Sequence, residues 1–467
     1  MSIHLIKYAQ WPLALLMLVL TAGLGFFAQQ HEFSKIIAFY APLFSLYVFV
    51  NAGASSMLAQ GSSLHFWLAL AILLRLLLVF SLPNLSNDVY RFIWDGRLLI
   101  QGYNPFDHLP LYYLENNIAV EGINRELFEA FGAKNTYTSY PPIAQAQFAS
   151  ACWLFPDNIY WCSVVMKLWL FLFEIGSIFL LLQLLRRFQL PEKNVLLYAL
   201  NPLIIIEITG NLHFEGAMIF FLLLALWLLT ADCRLRTGLC HFLSAAAFAF
   251  SICSKLLTLL FLPYLVKTLG WKKSLAYYAT TAAVTVLLFL PVVNETFLFN
   301  FSNSLGLYFQ KLEYNASLYY LLRWLGFQIW GYNQIALFGP LLGLLVFIGI
   351  GITAFRLSFC TPFTANGTNV GQQDSLKAVL PGQWLFAICL YLICTTTLHP
   401  WYLALPVVLC VFTKWRFPIV WSGTVFLTYV NYSYTPYHEN LWIVALEYTI
   451  VFVWWWWEWK TYRQKQA

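Results

Sequence analysis

Apolar runs long enough to cross a membrane recur from one end of this 467-residue sequence to the other. A bilayer core of about 30 Å takes roughly 20 apolar residues per helix. By that rule about fourteen candidate segments stand near 12–28, 36–50, 64–82, 159–185, 194–209, 214–230, 239–253, 256–268, 274–292, 334–356, 382–398, 401–413, 417–433 and 441–457. Hydrophobic residues make up 61% of the chain and charged residues 10%, a surplus that soluble cores have no volume to bury. The expected fold is an all-α integral membrane bundle, a single domain over 1–467, interrupted by two polar stretches at 83–158 and 293–333.

Lys and Arg set the orientation of such spans. Leu239 to Val266 decides the threading, because as one span it separates Arg234 and Arg236 from Lys267, Lys272 and Lys273. A break at Ser254-Lys255 returns them to one face, together with Arg186, Arg187, Lys414 and Arg416, and makes both termini cytoplasmic. The first run follows Lys7 and lacks a small-residue cleavage site, so it reads as a retained span. The opposite face then receives the 84–158 loop, Asn211, His213, Glu215, Lys255, the 295–315 loop, His399, Trp401, Tyr402 and Tyr437-His438-Glu439. A transporter keeps its polar residues near the midplane; polar groups at outer helix ends are the arrangement of an interfacial enzyme.

Other classes are excluded more directly. The net charge of +6 is scattered, with no block of like charges, so no nucleic-acid partner is expected. Nine cysteines without a C-x-x-C spacing, several inside apolar runs (Cys253, Cys389, Cys394, Cys410), point to neither a zinc site nor a disulfide framework. Trp454–Trp457 reads as an interfacial belt and Thr361–Gln373 as a linker.

The chemistry concentrates between Ser86 and Gly102. Ser86 and Asn87 are capping residues, and the spacing predicts a helix along the membrane surface with Val89, Phe92, Ile93, Gly96 and Ile100 on one face. Asp88, Arg91 and Asp95 form a polar stripe on another. A carboxylate there can take a proton from an acceptor hydroxyl while cations hold an anionic leaving group. An ordinary surface ion-pair stripe, at about 0.2–0.5 kcal/mol per pair, has the same spacing. Gly102-Tyr103-Asn104-Pro105-Phe106 ends the helix, and Tyr140-Pro141-Pro142 suits the wall of a pocket. Lys255, between two apolar runs, either meets an anion or snorkels to the interface. Glu207, Arg75, Lys167 and Glu174 are expected to pair inside the bundle, and Gln310-Lys311-x-Glu313-x-Asn315 to form a solvated turn.

These motifs, with Asn201-Pro202, Asn211-x-His213-x-Glu215, Ser254-Lys255 followed by Pro263, and Pro400-Trp401-Tyr402, occur in the order seen in a known superfamily. The sequence resembles the GT-C glycosyltransferases over residues 85 to 402, most nearly the bacterial polyprenyl-phosphate-mannose-dependent mannosyltransferases and more distantly the first mannosyltransferase of GPI-anchor assembly. The resemblance implies a GT-C polytopic bundle whose first extracytoplasmic loop is catalytic and carries interfacial helices. It also implies a polyprenyl-phosphate sugar donor, a glycan or glycolipid acceptor, contact with membrane lipids, and a site on the periplasmic face of a bacterial inner membrane.

By position, Asp88 matches the acidic base of the superfamily and Asp95 a second acidic group near the acceptor. Lys255, Arg91, Arg97, His213 and His399 are the candidate cations for the donor phosphate; Tyr90, Asn104, Tyr140, Asn211, Glu215, Trp401 and Tyr402 are the candidate pocket residues. Ser86 stands where the GPI-anchor relatives carry the first Asp of a D-x-D pair. No metal or other cofactor is therefore expected, since protein cations can stabilise a leaving polyprenyl phosphate. A lipid-linked-sugar flippase or polysaccharide transporter, and a non-catalytic assembly subunit, are the alternatives.

Overall fold

The computed structural model describes residues 3–57, 62–132, 134–231, 237–355 and 372–464. Arg234, Arg236 and the linker expected over Thr361–Gln373 lie outside the described residues, except that the last two linker positions already belong to the helix Gln372–Cys394. Among the described residues the chain is helical without strands, apart from one isolated parallel bridge between Tyr314 and Thr397.

Among the described residues, four helices are long and apolar enough to cross a membrane: Gln10–Phe27, Phe33–Gly53, Ile159–Arg187 and Ile335–Phe355. A fifth span is counted if the broken pair Ile204–Gly210 and Glu215–Leu229 is taken as one. The segments expected near 64–82, 239–253, 256–268, 382–398 and 401–413 coincide with shorter apolar helices. The break expected at Ser254-Lys255 is present: one helix ends at Ser254, Lys255 is extended, and a 3-10 turn begins at Leu256.

The chain divides into two compact units. The first comprises residues 1–86, 167–216 and 400–467. Its interior carries charges, which apolar surroundings tolerate only when paired. Arg75 and Glu174, both fully buried, form an ion pair at 3.0 Å. The Tyr198 hydroxyl donates to the same carboxylate, and Arg75 also donates to the Ala199 carbonyl. Lys167 donates to the Ser81 carbonyl at 2.6 Å and to its hydroxyl and the Leu78 carbonyl at 3.0 Å. Arg75, Glu174 and Lys167 thus do hold the bundle. Asn201 plays the same part, with Nδ2 donating to Ser422 Oγ at 3.0 Å and Oδ1 accepting from Leu203 N. The N-terminus of the helix Phe417–Thr424 is satisfied by a remote carboxylate: Glu458 accepts from the amides of Arg416 and Phe417.

The second unit comprises residues 87–166 and 217–399. Its organising contact is the packing of the helix Asp88–Ile100 on the helix Pro142–Leu154. Gly96 permits the close approach: a Cβ there would come within 2.6 Å of the Phe148 carbonyl oxygen and 2.7 Å of Cys152 Sγ. Phe92 stacks on Phe148 with ring centroids 4.7 Å apart, and Tyr140 meets both edge-on. The first helix ends in a Schellman motif, with Gly102 at φ 82° and the amides of Gly102 and Tyr103 donating to the carbonyls of Leu99 and Leu98. Pro142 opens the partner helix at a position where a missing N–H has no cost.

Candidate functional site

Asp88 is the first residue of its helix and is half-buried. A carboxylate there sits at the positive end of the helix dipole. Asn87 occupies the N-cap position as expected, but its side chain makes no capping hydrogen bond. Tyr90, two residues on, is also half-buried.

The stripe behind Asp88 is not a solvated face. Arg91 is 6% exposed and Asp95 0%. Arg91 Nε donates to Asp95 Oδ1 at 2.9 Å, and Gln145 Nε2 donates to Asp95 Oδ2 at 3.1 Å. Gln145 Nε2 also lies 3.0 Å from Thr138 Oγ1, while Arg91 Nη1 donates to the Thr136 carbonyl at 2.9 Å. Asp95, expected near the acceptor, therefore ties its own helix to the 136–145 segment. Arg97, 5% exposed, donates from Nε to the Pro156 carbonyl at 2.8 Å and from Nη1 to the Gly122 carbonyl at 2.6 Å. Gly122 has φ 75°, and a Cβ on it would strike the Arg97 guanidinium. Both arginines hold the loop against the helix that carries Asp88.

Asn104 is likewise a strut. Its Nδ2 donates to the Val292 carbonyl at 2.8 Å and its Oδ1 accepts from Phe106 N at 3.2 Å. Phe106 packs with Val292 and Phe297, and Asn300 Nδ2 donates to the carbonyls of Phe106 and Asp107. The 83–158 and 293–333 stretches are thereby joined. Tyr140 is half-buried against Phe92, its carbonyl accepting weakly from Gln145.

Lys255 is half-buried in the one extended residue between two helical segments. His399 stacks on Tyr314 at 4.9 Å. The backbone fixes that pair, because Tyr314 N donates to the Thr396 carbonyl and Leu398 N to the Tyr314 carbonyl. Asn315, beside it, is left-handed at φ 47°. The turn expected to be solvated is so at Gln310, Lys311 and Leu312, which are exposed. Glu313 instead gathers Tyr319, Arg323 and Asn333 around its carboxylate, because the helix Leu318–Trp330 folds back over it.

In the first unit, His213, 1% exposed, lies flat on Trp401 with centroids 3.6 Å apart. Its Nδ1 is 2.9 Å from the Glu207 carbonyl oxygen and 3.2 Å from Glu207 Oε2. Glu207 also accepts from Tyr429 Oη at 2.7 Å and from Asn211 Nδ2 at 3.3 Å, while Asn211 Oδ1 accepts from Leu85 N. The other ring nitrogen, Nε2, is buried without a protein hydrogen bond. Glu207, expected only to pair within the bundle, is thus the residue that orients His213. The i,i+4 rule misses it because the intervening backbone runs through the π-helical turn Ile204–Gly210 and left-handed Leu212. Glu215, Trp401 and Tyr402 are buried, with Glu215 at the start of the helix Glu215–Leu229. Among the described residues, no group of three or more His, Cys, Asp or Glu is placed to hold a metal ion.

Fold and sequence together place the protein among the membrane glycosyltransferases. The MptA_B family model, described as the N-terminal domain of alpha-(1->6)-mannopyranosyltransferase, matches residues 13–270, more than half of the chain, and the chain belongs to that family. A comparison with curated proteins gives no match. The family match includes Asp88, Asp95, His213 and Lys255 and stops short of His399 and Trp401.

Proposed function

We propose that the protein transfers mannose from a polyprenyl-phosphate mannose to a sugar hydroxyl of an extracytoplasmic glycan or glycolipid, with Asp88 as the general base. The observation that carries this reading is the mounting of Asp88: a half-buried carboxylate opens a helix whose remaining charges, Arg91, Asp95 and Arg97, are buried in hydrogen bonds that fix the helix in place. A base works when it is held within reach of the proton it removes. The acceptor oxygen attacks the anomeric carbon, Asp88 takes its proton, and the bond to the phosphate oxygen breaks with its electron pair leaving on polyprenyl phosphate. One displacement inverts the anomeric centre and needs no enzyme nucleophile.

The family description names an alpha-(1->6) linkage. Carried to this chain, that linkage makes the acceptor a sugar 6-hydroxyl, and inversion then requires a β-linked mannosyl phosphate. Reconstituted protein should form α-linked product from the β-phosphomannose donor and leave the α-anomer unused. Product from the α-anomer with its configuration kept would reject single displacement.

Lys255 supplies the positive charge for the leaving phosphate. Loss of one charge-assisted contact is worth about 1.5–3 kcal/mol, so Lys255→Ala is expected to weaken donor binding about 10–100-fold in a direct binding measurement. An unchanged dissociation constant would make Lys255 a snorkelling residue.

The proposed step uses protein cations alone, so a chelator should leave the transfer rate unchanged. Loss of activity restored by a divalent ion would contradict that part of the reading.

A further inference from the structure

We propose that Cys152 and Cys162 are joined by a disulfide in the mature protein. Cys152 lies in the last turn of the helix Pro142–Leu154 and Cys162 in the first turn of Ile159–Arg187. Their sulfurs are 3.3 Å apart, and the two residues are 0% and 1% exposed. A disulfide needs the sulfurs at roughly 2.05 Å, so closing the bond brings them together by about 1.25 Å. The connection between the helices is short and ordered: Phe155 N donates to the Ala151 carbonyl, and Asn158 Oδ1 accepts from Trp161 N at 3.0 Å. The pair also sits directly against the helix that carries Asp88, with Cys152 Sγ at 3.6 Å from the Ile93 carbonyl oxygen and in the space left by Gly96.

The inference rests on the reading of the 83–158 stretch as extracytoplasmic, since disulfides persist in oxidising compartments and are rare in the cytosol. It does not rest on the reaction proposed above. The oxidant is a small-molecule or protein disulfide. One cysteine thiolate attacks a sulfur of that disulfide and expels a thiol; the second cysteine then attacks the mixed disulfide and expels the other. The chain loses two hydrogens, and the oxidant is reduced to two thiols. Because both sulfurs are shielded in the folded protein, the exchange belongs to the folding stage, before the two helices close. The bond would then lock the base of the helix pair on which Asp88 is mounted.

The test is acid quenching of intact cells, alkylation under denaturing conditions with and without prior reduction, and peptide mapping of the purified full chain. The expected result is a linked Cys152–Cys162 peptide pair that becomes alkylatable only after reductant, and its loss in Cys152→Ser. Reduction should lower the thermal midpoint of wild type by more than that of Cys152→Ser. Free, alkylated Cys152 and Cys162 without reductant would overturn the proposal. A reporter cysteine at exposed Asn116, in a variant otherwise lacking accessible thiols, shows which premise failed. Labelling of Asn116→Cys by a membrane-impermeant maleimide beside a reduced pair rejects the bonding geometry, and protection of it rejects the orientation. Neither outcome depends on mannose transfer, so failure of the enzymatic reading stays separate.

Discussion

Asp88→Asn should fold as wild type and transfer mannose about 10²–10⁴-fold more slowly, the range that a positioned general base contributes. Asparagine keeps the size and polarity of the side chain and removes its basicity. The change stands at the first residue of the helix, where the side chain is half-buried, and it leaves intact the Arg91–Asp95–Gln145 network behind it. Donor binding should be little altered, so the loss should appear in the turnover rate. Glutamate at the same position retains a carboxylate but moves it by one methylene, and higher activity in Asp88→Glu than in Asp88→Asn would be the signature of a base. Equal activity in all three proteins would remove Asp88 from the chemistry.

Asp95→Ala should fail in a different way. Its carboxylate is fully buried and receives Arg91 and Gln145, so truncation leaves a guanidinium inside the protein without its counter-charge. Removing one partner of a buried pair costs about 3–5 kcal/mol, whereas replacing both with apolar groups of similar volume is often close to neutral. The single variant is expected to show a strongly lowered unfolding midpoint in detergent, and Arg91→Met with Asp95→Leu to recover most of it. A stable but inactive Asp95→Ala would instead give this residue a chemical role. The contrast separates two carboxylates that stand on one helix seven positions apart: one is mounted, and the other does the mounting.

How far this was readable in the sequence differs residue by residue. The helix that carries Asp88 was legible at both ends, from Asn87 at its start and Gly102 after it, because N-cap position and a left-handed terminator are local properties. The break at Lys255 was legible from charge placement alone, since the cost of stranding basic residues on the wrong face is a global constraint on a helical membrane chain. The burial of Arg91, Asp95 and Arg97 was not legible. The spacing of these charges along the helix is the same on a solvated surface and under a loop, and only the partner carbonyls of Thr136, Gly122 and Pro156, remote in sequence, distinguish the two. Asn104 reads as a pocket residue within its motif, yet its main partner, the Val292 carbonyl, is almost two hundred residues away. Glu207 was hidden because a π-helical turn and left-handed Leu212 change which residues face one another. Cys152 and Cys162 match no cysteine-spacing rule because a helix end and a turn, not a fixed offset, bring their sulfurs together.

The most direct test of the central claim is release of polyprenyl phosphate by the purified protein in lipid, supplied with a sugar acceptor and, in turn, β-polyprenyl-phosphate mannose or a nucleotide-activated mannose. The account predicts release from the lipid donor only, coupled to mannose on the acceptor and slowed about 10²–10⁴-fold by Asp88→Asn. Transfer from the nucleotide donor, or release that Asp88→Asn leaves untouched, would contradict it.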